Sequence, residues 1–573
     1  MLIFNQKASK IMNIFKKLLK DSLLLGCISI ACMLSSCNSN IDLLPQGIIT
    51  ADGFFASVDD FEKALNATYV RMNYDNYDLW IESCTDNALT THNWNRGYDM
   101  GRGIGNTFSS FPADKWSQGY RSVQRANTVV NNIDKYEWPG GASDVTRNQI
   151  LGEAKALRSY FFLDLVTLFG NILLFETNPA TVPESEQLSQ VEPKVVFDFI
   201  LKDLEEAIAG LPQQPVNKSR FGKPAARLLR ARAAAYAAGY LSDKNYFNIT
   251  LSETAELLKS APALGDYASL FVTGNENIPE VMLVRRFTRE STNGFGNWYN
   301  NSITGYCVTT PIKDLADAYE YMSEPKPNQP YTNKEPRFEA SIYAPGMLLR
   351  DKYYNTVPEN TVVRDGKSYF DPAKDYGDLQ DRDIYIGDVL GEEGGGEWNK
   401  SPTGFTWKKY MTEPETWTTW NSCIIFRFAE VYLLRAEALV ETGGSTDEAK
   451  SYIQILRDRA GNTNDMDAVL SSTYGGSLLN LVRNERRVEL AQEGLRLADI
   501  RRWKILLEVM NKPALGIDYR DFSGGTPVKK NIIPPALTDE GYRVPFTEKD
   551  YWWPIPQTEI DLNKGRIKQN NSW

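Results

Sequence analysis

Between residues 151 and 171 the chain reads LGEAKALRSYFFLDLVTLFGN. Leu151, Ala154, Leu157, Phe161, Leu165 and Leu168 recur there at steps of three and four, the spacing that lines up one face of an α-helix, and Gly170 ends the run. Such a helix has to pack on a neighbour, because most of its stability comes from burying that face. Neighbours of the same kind are present. Phe61, Leu65, Thr68 and Met72 share a stripe over 59–72, while Trp116, Val123, Val130 and Ile133 mark a helix ending near Tyr136, stopped by Trp138, Pro139 and Gly140. Further helices are expected over 194–211, 224–241 and 251–260, among them an Ala-rich segment whose small side chains permit close approach, and again over 424–441, 447–460 and 478–490. Two antiparallel helices joined by a short turn, as GGST joins 424–441 to 447–460, form the unit of a TPR-like array, although no strict sequence repeat is visible. Between 272 and 421 the character changes to Gly, Pro, Asn and aromatic residues, with GEEGGGEW at 391–398, which reads as loops with short strands. The expected fold class is all-α: a TPR-like helix-pair scaffold (50–265 and 421–510) supporting a loop-rich, irregular half (270–420), followed by a C-terminal segment, 511–573.

Composition narrows the function classes. The chain has 573 residues, 42% hydrophobic and 24% charged, which is ordinary globular material. A net charge of −10, without a dense Lys/Arg cluster, removes the electrostatic footprint of a nucleic-acid binder. His92 is the one histidine, so a His-rich zinc or non-haem iron site is ruled out. Walker, HExxH and nucleophile-elbow patterns are absent, and GRGIG at 101–105 has neither the spacing nor the flanks of a dinucleotide loop. No cofactor and no metal are expected. The excess lies in aromatic residues: 13 Trp, 29 Tyr and 25 Phe.

The amino terminus reads as a secretory signal. From Met12, the string MNIFKKLLKD supplies Lys16, Lys17 and Lys20; an apolar stretch over 23–34 follows, and Ser35 and Ser36 precede Cys37. Residues 1–11 read as an over-long start, since the signal is complete from Met12. The apolar run is shorter than the ~20 residues needed to span a bilayer, and no later stretch is long and apolar enough. LSSC at 34–37 resembles the lipobox of bacterial lipoproteins, in which the signal is cut before the cysteine and that cysteine is acylated. This resemblance makes residues 1–36 the signal peptide, 37–573 a single mature domain and Cys37 its lipid anchor; several acyl chains hold stably where one binds only marginally. The alternative is an ordinary thiol near a cleavage site. Cys84, Cys307 and Cys423, widely separated and odd in number, exclude a disulfide framework or CxxC site.

Several strings then occur in a telling order. GEAKALRSYFFLDLVTLFGNILL (152–174), EPRFEASIYAPG (335–346), FRFAEVYLLRAEAL (426–439), ILRDRAG (455–461), RNERRVELAQEGLRLADIRRW (483–503) and WPIPQTEIDLN (553–563) run along most of the chain. Together they resemble the SusD/RagB family of outer-membrane nutrient-binding lipoproteins. Ile172 and Leu173 depart from the usual end of the first motif. The resemblance implies a TPR-like helical scaffold under a loop-rich ligand-binding half and a ligand that is usually a glycan. It also implies attachment to the extracellular face of a Gram-negative outer membrane, and a SusC-like TonB-dependent transporter as partner.

Two kinds of motif bear on chemistry. The string 483–502 interleaves Glu485, Glu489, Glu493 and Asp499 with Arg486, Arg487, Arg496, Arg501 and Arg502. A carboxylate pair of this kind could serve a glycosidase. However, Glu489 with Arg486, Glu493 with Arg496 and Asp499 with Arg502 stand three apart, where helical neighbours neutralise one another, so an ion network is expected and no catalytic residue is assigned. Arg427 with Glu430 reads the same way. Aromatic rings bind sugars because the C–H face of a pyranose packs on a ring while Asn, Asp and Arg satisfy its hydroxyls. Both ingredients occur in YDNYDLW (74–80), continuing through Asp86, Asn87, Asn93, Trp94, Arg96 and Tyr98, and in NGFGNWYNNSITGY (293–306). The expected glycan site takes ring faces from Trp94, Tyr98, Trp298 and Tyr299, with Asn93, Arg96 and Asn297 as hydroxyl partners. Trp398, Trp407, Trp417 and Trp420 form a third group that reads as structural, and His92 as a polar loop residue. A peptide receptor would share this scaffold and differ only in its loops; a carboxylate-dependent hydrolase is the other alternative. Which glycan is bound, and which residues meet the transporter, are not legible.

Overall fold

The stripe at 151–168 sits in a helix longer than the periodic stretch, Ala142–Phe169, which buries Leu157, Phe161, Leu165 and Leu168 along its length. This helix packs between Ser110–Asn132 and Pro193–Gly210. One buried guanidinium ties the three together: Arg158 meets Asp203 through two parallel bonds (Nε to Oδ2 2.8 Å, Nη2 to Oδ1 2.7 Å) and donates to Asn127 Oδ1 at 2.9 Å. The two-pronged geometry adds direction to an otherwise apolar contact.

The computed structural model describes residues 54–73, 77–90, 93–292, 307–326, 329–349, 352–355, 361–370, 384–386, 401, 403–411, 420–518, 528–531 and 543–573. Cys37 and the signal, His92 and the second aromatic cluster (293–306) lie outside them. From Ser57 to Trp573 the chain forms one compact unit.

Helix pairing continues through Lys223–Tyr240 and Phe247–Leu258, each packed on the helix before it. Lys223–Tyr240 buries Ala226, Ala231, Ala233, Ala234 and Ala237, so neighbours approach it from several sides, among them Ala429–Thr442 and Arg496–Arg502. Ala429–Thr442 in turn packs on Phe247–Leu258 and on its hairpin partner Thr446–Ala460. The helical return therefore continues the stack that the first half began. The fold is all-α with TPR-like pairing, and its strands are few and short.

One segment differs from expectation. Residues 423–427 are not the start of a helix; Cys423–Arg427 is a strand, paired antiparallel with Val281–Arg285 in the register Cys423↔Arg285 and Arg427↔Val281. Every residue of CIIFR is buried, the condition of a strand covered on both faces, and an apolar run of this length carries no period that separates it from a buried helix. The helix begins only at Ala429. Elsewhere in the irregular half, Thr406–Trp407 pairs with Ile342–Tyr343, and Ala88–Thr90 with Thr309–Pro311. No described helix is long and apolar enough to cross a membrane.

Candidate functional site

Thr90 faces Thr309 across the ladder between Ala88–Thr90 and Thr309–Pro311. A segment within the first aromatic cluster is thus bonded to residues that follow the second in sequence. Ile312 N–H extends the pairing to Asn87 O at 3.0 Å, and Leu89, Ile312 and Ala514 pack together at its base. Beyond Thr90 the chain doubles back onto Tyr77–Glu82 and the turn after it. Gly97 stands at φ 82°, and a Cβ there would lie 2.3 Å from Ser83 Oγ and 2.9 Å from Trp80 O; at Gly101 it would lie 2.2 Å from Ser83 O. Only glycine allows this backbone and this approach.

Hydrogen bonds hold the loop where the glycines let it sit. The Thr90 hydroxyl reaches Ser83 Oγ at 2.7 Å, and Arg102 Nη2 donates to Thr90 O at 3.1 Å. The C-terminal segment fastens the other side: Arg543 donates to Gly101 O (3.1 Å) and Thr85 O (3.0 Å), and Val544 N–H to Arg102 O (3.0 Å). Arg543 is fully enclosed, and burial pulls its guanidinium down to about 10 despite Asp86 and Asp314 nearby. The result is a fixed platform.

On this platform Trp94 is 55% exposed and Asn93 is exposed beside it. Arg96 is half-buried, its Nε donating to Asp114 Oδ2 at 3.1 Å, so its first role is to tie the loop to Ser110–Asn132. Tyr98 is half-buried with the Arg102 guanidinium 4.4 Å from its ring centroid; a cation already occupies one ring face. Asn297, Trp298 and Tyr299 lie outside the described residues. Other members of the first cluster are structural. Trp80 is buried, Asn87 donates to Glu82 Oε1 at 2.6 Å, and Asp86 is clamped by Arg496 at 2.7 Å and Arg487 at 3.1 Å. Burial alone would raise the Asp86 carboxyl, but these two guanidinium groups hold it well below the usual carboxylate range. Trp407 is buried in its strand, and Trp420 carries Arg289 at 4.7 Å from its ring. Arg102 and the two glycines are the site residues that sequence reasoning missed. Their signal was available as two glycines four apart, on one side of a single helical turn.

The carboxylates at 485–499 form an ion network, with partners other than the expected ones. Glu489, fully buried, accepts from Arg427 (2.6 Å), Arg337 (3.0 Å) and Arg459. Glu493 accepts from Arg427 and Lys409, both at 2.7 Å, and Arg496 binds Asp86 instead of Glu493. Asp499 does pair with Arg502 (2.9 Å), and also with Arg486 (2.8 Å). Glu430 pairs with Arg232 and Arg486 rather than Arg427. The reason is local: helix Leu478–Glu489 ends before Glu493, and Gln492 and Gly494 take positive φ, so the three-apart register is broken. Burial opposes the charge on Glu489, yet Arg459, Arg427 and Arg337 hold it far below its ordinary value. Burial does push the Glu82 and Glu335 carboxyls up, but both are 1% exposed and out of reach of a substrate. Nothing in this set can act as an acid–base pair across a glycosidic bond.

Comparison with known proteins fits this architecture. A SusD-like protein, P25, of Formosa agariphila is 23% identical over 565 residues, covering 92% of this chain and 94% of its own. A SusD-like carbohydrate-binding protein of Bacteroides fragilis superposes with a TM-score of 0.71 at 22% identity, covering 90% of this chain and all of its own. Surface glycan-binding protein A of Bacteroides thetaiotaomicron, in complex with laminarihexaose, does so with a TM-score of 0.63 at 19% identity, covering 90% and 99%. A family model described as starch-binding and associating with the outer membrane matches residues 44–234. The SusD family model matches residues 272–573, more than half of the chain and including both the irregular half and the helical return, and on that match the chain belongs to the SusD family.

Proposed function

We infer that this protein is a cell-surface glycan-binding lipoprotein without catalysis, which captures oligosaccharides and hands them to a SusC-like TonB-dependent transporter of the outer membrane. The observation that carries the reading is Trp94: a large indole left more than half exposed on a loop that two glycines and an arginine hold still. A ring held in place loses little freedom when a pyranose stacks on it, so more of the contact appears as affinity. Asn93 stands beside it, Tyr98 offers its remaining face, and Arg96, tied to Asp114, stands on the same loop. Trp298, Tyr299 and Asn297 complete the site. The strand register Thr90↔Thr309 supports this grouping, because it pairs a strand of the first cluster with residues that follow the second in sequence.

The proteins of similar fold whose names include laminarihexaose and carbohydrate binding make a glycan the first ligand class to try. Cys37 carries the lipid anchor, and the anchor raises the effective concentration of the protein at the transporter, so modest contacts suffice for a stable pair. The test is a glycan array followed by calorimetry on the purified chain. Saturable oligosaccharide binding that Trp94→Ala and Trp298→Ala weaken supports the reading; undiminished affinity in both relocates the site, and released sugar products replace binding with hydrolysis.

A further inference from the structure

Buried arginines in this fold generally stand against carboxylates. Arg158 meets Asp203, Arg232 meets Glu430, Arg427 meets Glu489 and Arg502 meets Glu437, each between 2.5 and 2.7 Å. Arg102, Arg501 and Arg543 are also buried but have no ion-pair partner among the described residues. Arg501 and Arg543 direct their donors to backbone carbonyls instead, Arg501 to Thr167, Leu168 and Asp550, and Arg543 to Gly101 and Thr85. Arg102 is the least satisfied of the three. Its Nη2 donates to Thr90 O at 3.1 Å, while Nε and Nη1 are buried without a hydrogen-bond partner among the described residues. Asp99, three residues earlier, is in register to neutralise it but accepts from Ser109 Oγ at 3.2 Å.

A guanidinium taken from water without a counter-charge, and with two nitrogens unmet, weakens the fold. Burial lowers it from its ordinary value, with the Tyr98 phenol acting in the other direction. An apolar side chain of similar length would avoid these costs. What it could not supply is a charge against a ring: Arg102 Cζ lies 4.4 Å from the Tyr98 centroid, a distance at which a cation is drawn to the ring face and holds it. Tyr98 stands on the loop that carries Trp94, and it is half-buried, so part of it is open to a ligand. Arg102, 4% exposed, is not. Whatever it contributes to binding passes through Tyr98 and through the Thr90 carbonyl that it holds.

We propose that Arg102 is a positioning residue of the glycan site, which fixes the Tyr98 ring so that its second face is presented to the sugar, and which weakens the fold in doing so. The inference rests on the glycan reading above and adds to it the buried group that orients one of its rings. A local conflict of this kind, a buried charge left unpaired in a chain that pairs its other buried charges, is expected where binding and not stability sets the residue.

The experiment is calorimetry of the purified full chain with the tightest-binding oligosaccharide of the array, laminarihexaose being the first tried, together with melting curves. Arg102→Met is expected to weaken binding about tenfold while melting at or above the temperature of the unaltered chain. Arg102→Lys, which keeps a cation for the ring, recovers most of that affinity. The two residues are coupled, so in a Tyr98→Ala background Arg102→Met causes no further loss of affinity. Four results overturn the inference: unchanged affinity in Arg102→Met, a melting temperature that falls along with the affinity, failure of that variant to fold, or additive losses in the double variant. The second and third would make Arg102 a structural residue. Absence of saturable oligosaccharide binding by the unaltered chain overturns the glycan reading itself and this inference with it, so the two failures are distinguishable.

Discussion

Arg427 and Glu489 meet at 2.6 Å with both side chains fully buried, one closing the strand that opens the helical return and the other closing helix Leu478–Glu489. Arg337 and Arg459 converge on the same carboxylate, bringing Pro336–Ser341 and Thr446–Ala460 to the junction. Each charge is taken from water and is tolerable only because its partners are in place.

Truncating the centre of this junction leaves three guanidinium groups facing one another. Glu489→Ala should destabilise the fold by about 3–5 kcal/mol, the range for breaking a buried pair from one side. Urea titration followed by circular dichroism reads it, and a loss within the ±0.5 kcal/mol typical of surface changes would show that the network is not structural.

Acid should act through the same groups. The Asp86 and Glu489 carboxyls are held below their ordinary values in the fold, so the folded state binds fewer protons than the unfolded chain, and stability falls as pH drops. Their contribution is fully present above the unfolded carboxyl values of about 4 and is lost progressively below them. Melting curves from neutral pH downward should show the decline setting in near pH 4, with a shallower slope in Glu489→Gln than in the unaltered chain.

At the alkaline end Lys409 gives the opposite sign. Burial, helped by Arg427 and partly offset by Glu493, pushes its ammonium down to about 8. While both states are charged this lowering costs stability, and the cost fades as pH climbs from about 8 toward the unfolded value of about 10.4. Relative to Lys409→Met, the unaltered protein should gain about 3 kcal/mol over that window. A constant difference between the two proteins across it would refute the assignment.

The loop that presents Trp94 should depend on Gly97. Valine there must adopt φ 82° with its Cβ against Ser83 Oγ, which should cost about 1–3 kcal/mol and loosen the platform. Gly97→Val should therefore weaken oligosaccharide binding with the indole still present, while Trp94→Ala should weaken it at unchanged melting temperature, since the side chain is more than half exposed. Equal affinity in Gly97→Val and the parent would mean that the platform is not needed.

Anchoring is separable from all of this. If Cys37 carries the proposed anchor, Cys37→Ala should release the protein from membranes into the soluble fraction, because all its acyl chains would be lost together. Fractionation of cells lacking the transporter checks it; a variant still sedimenting with the outer membrane would remove the lipid from the account.

What the sequence determined by itself was the helical scaffold. The stripe at 151–168, the one at 61–72 and the GGST turn are local patterns, and local patterns suffice when a face of period 3.6 meets a partner of the same kind. The aromatic excess and the first cluster likewise single out Trp94 by residue type and spacing alone. Three things needed the tertiary structure. Residues 423–427 became a strand because Val281–Arg285, distant in sequence, supplies its hydrogen bonds. Arg496 and Glu493 chose long-range partners over neighbours three residues away because the helix stops at Glu489, and Arg486 did so because Glu489 is already taken by Arg337, Arg427 and Arg459. Tyr98 lost one face to Arg102 while Trp94 kept its exposure, a distinction set by how Gly97 and Gly101 press the loop on Ser83 and by where Arg543 pins it. Residue type and spacing carry the period of a helix, but which face of a ring stays open depends on contacts that the chain makes only after it has folded.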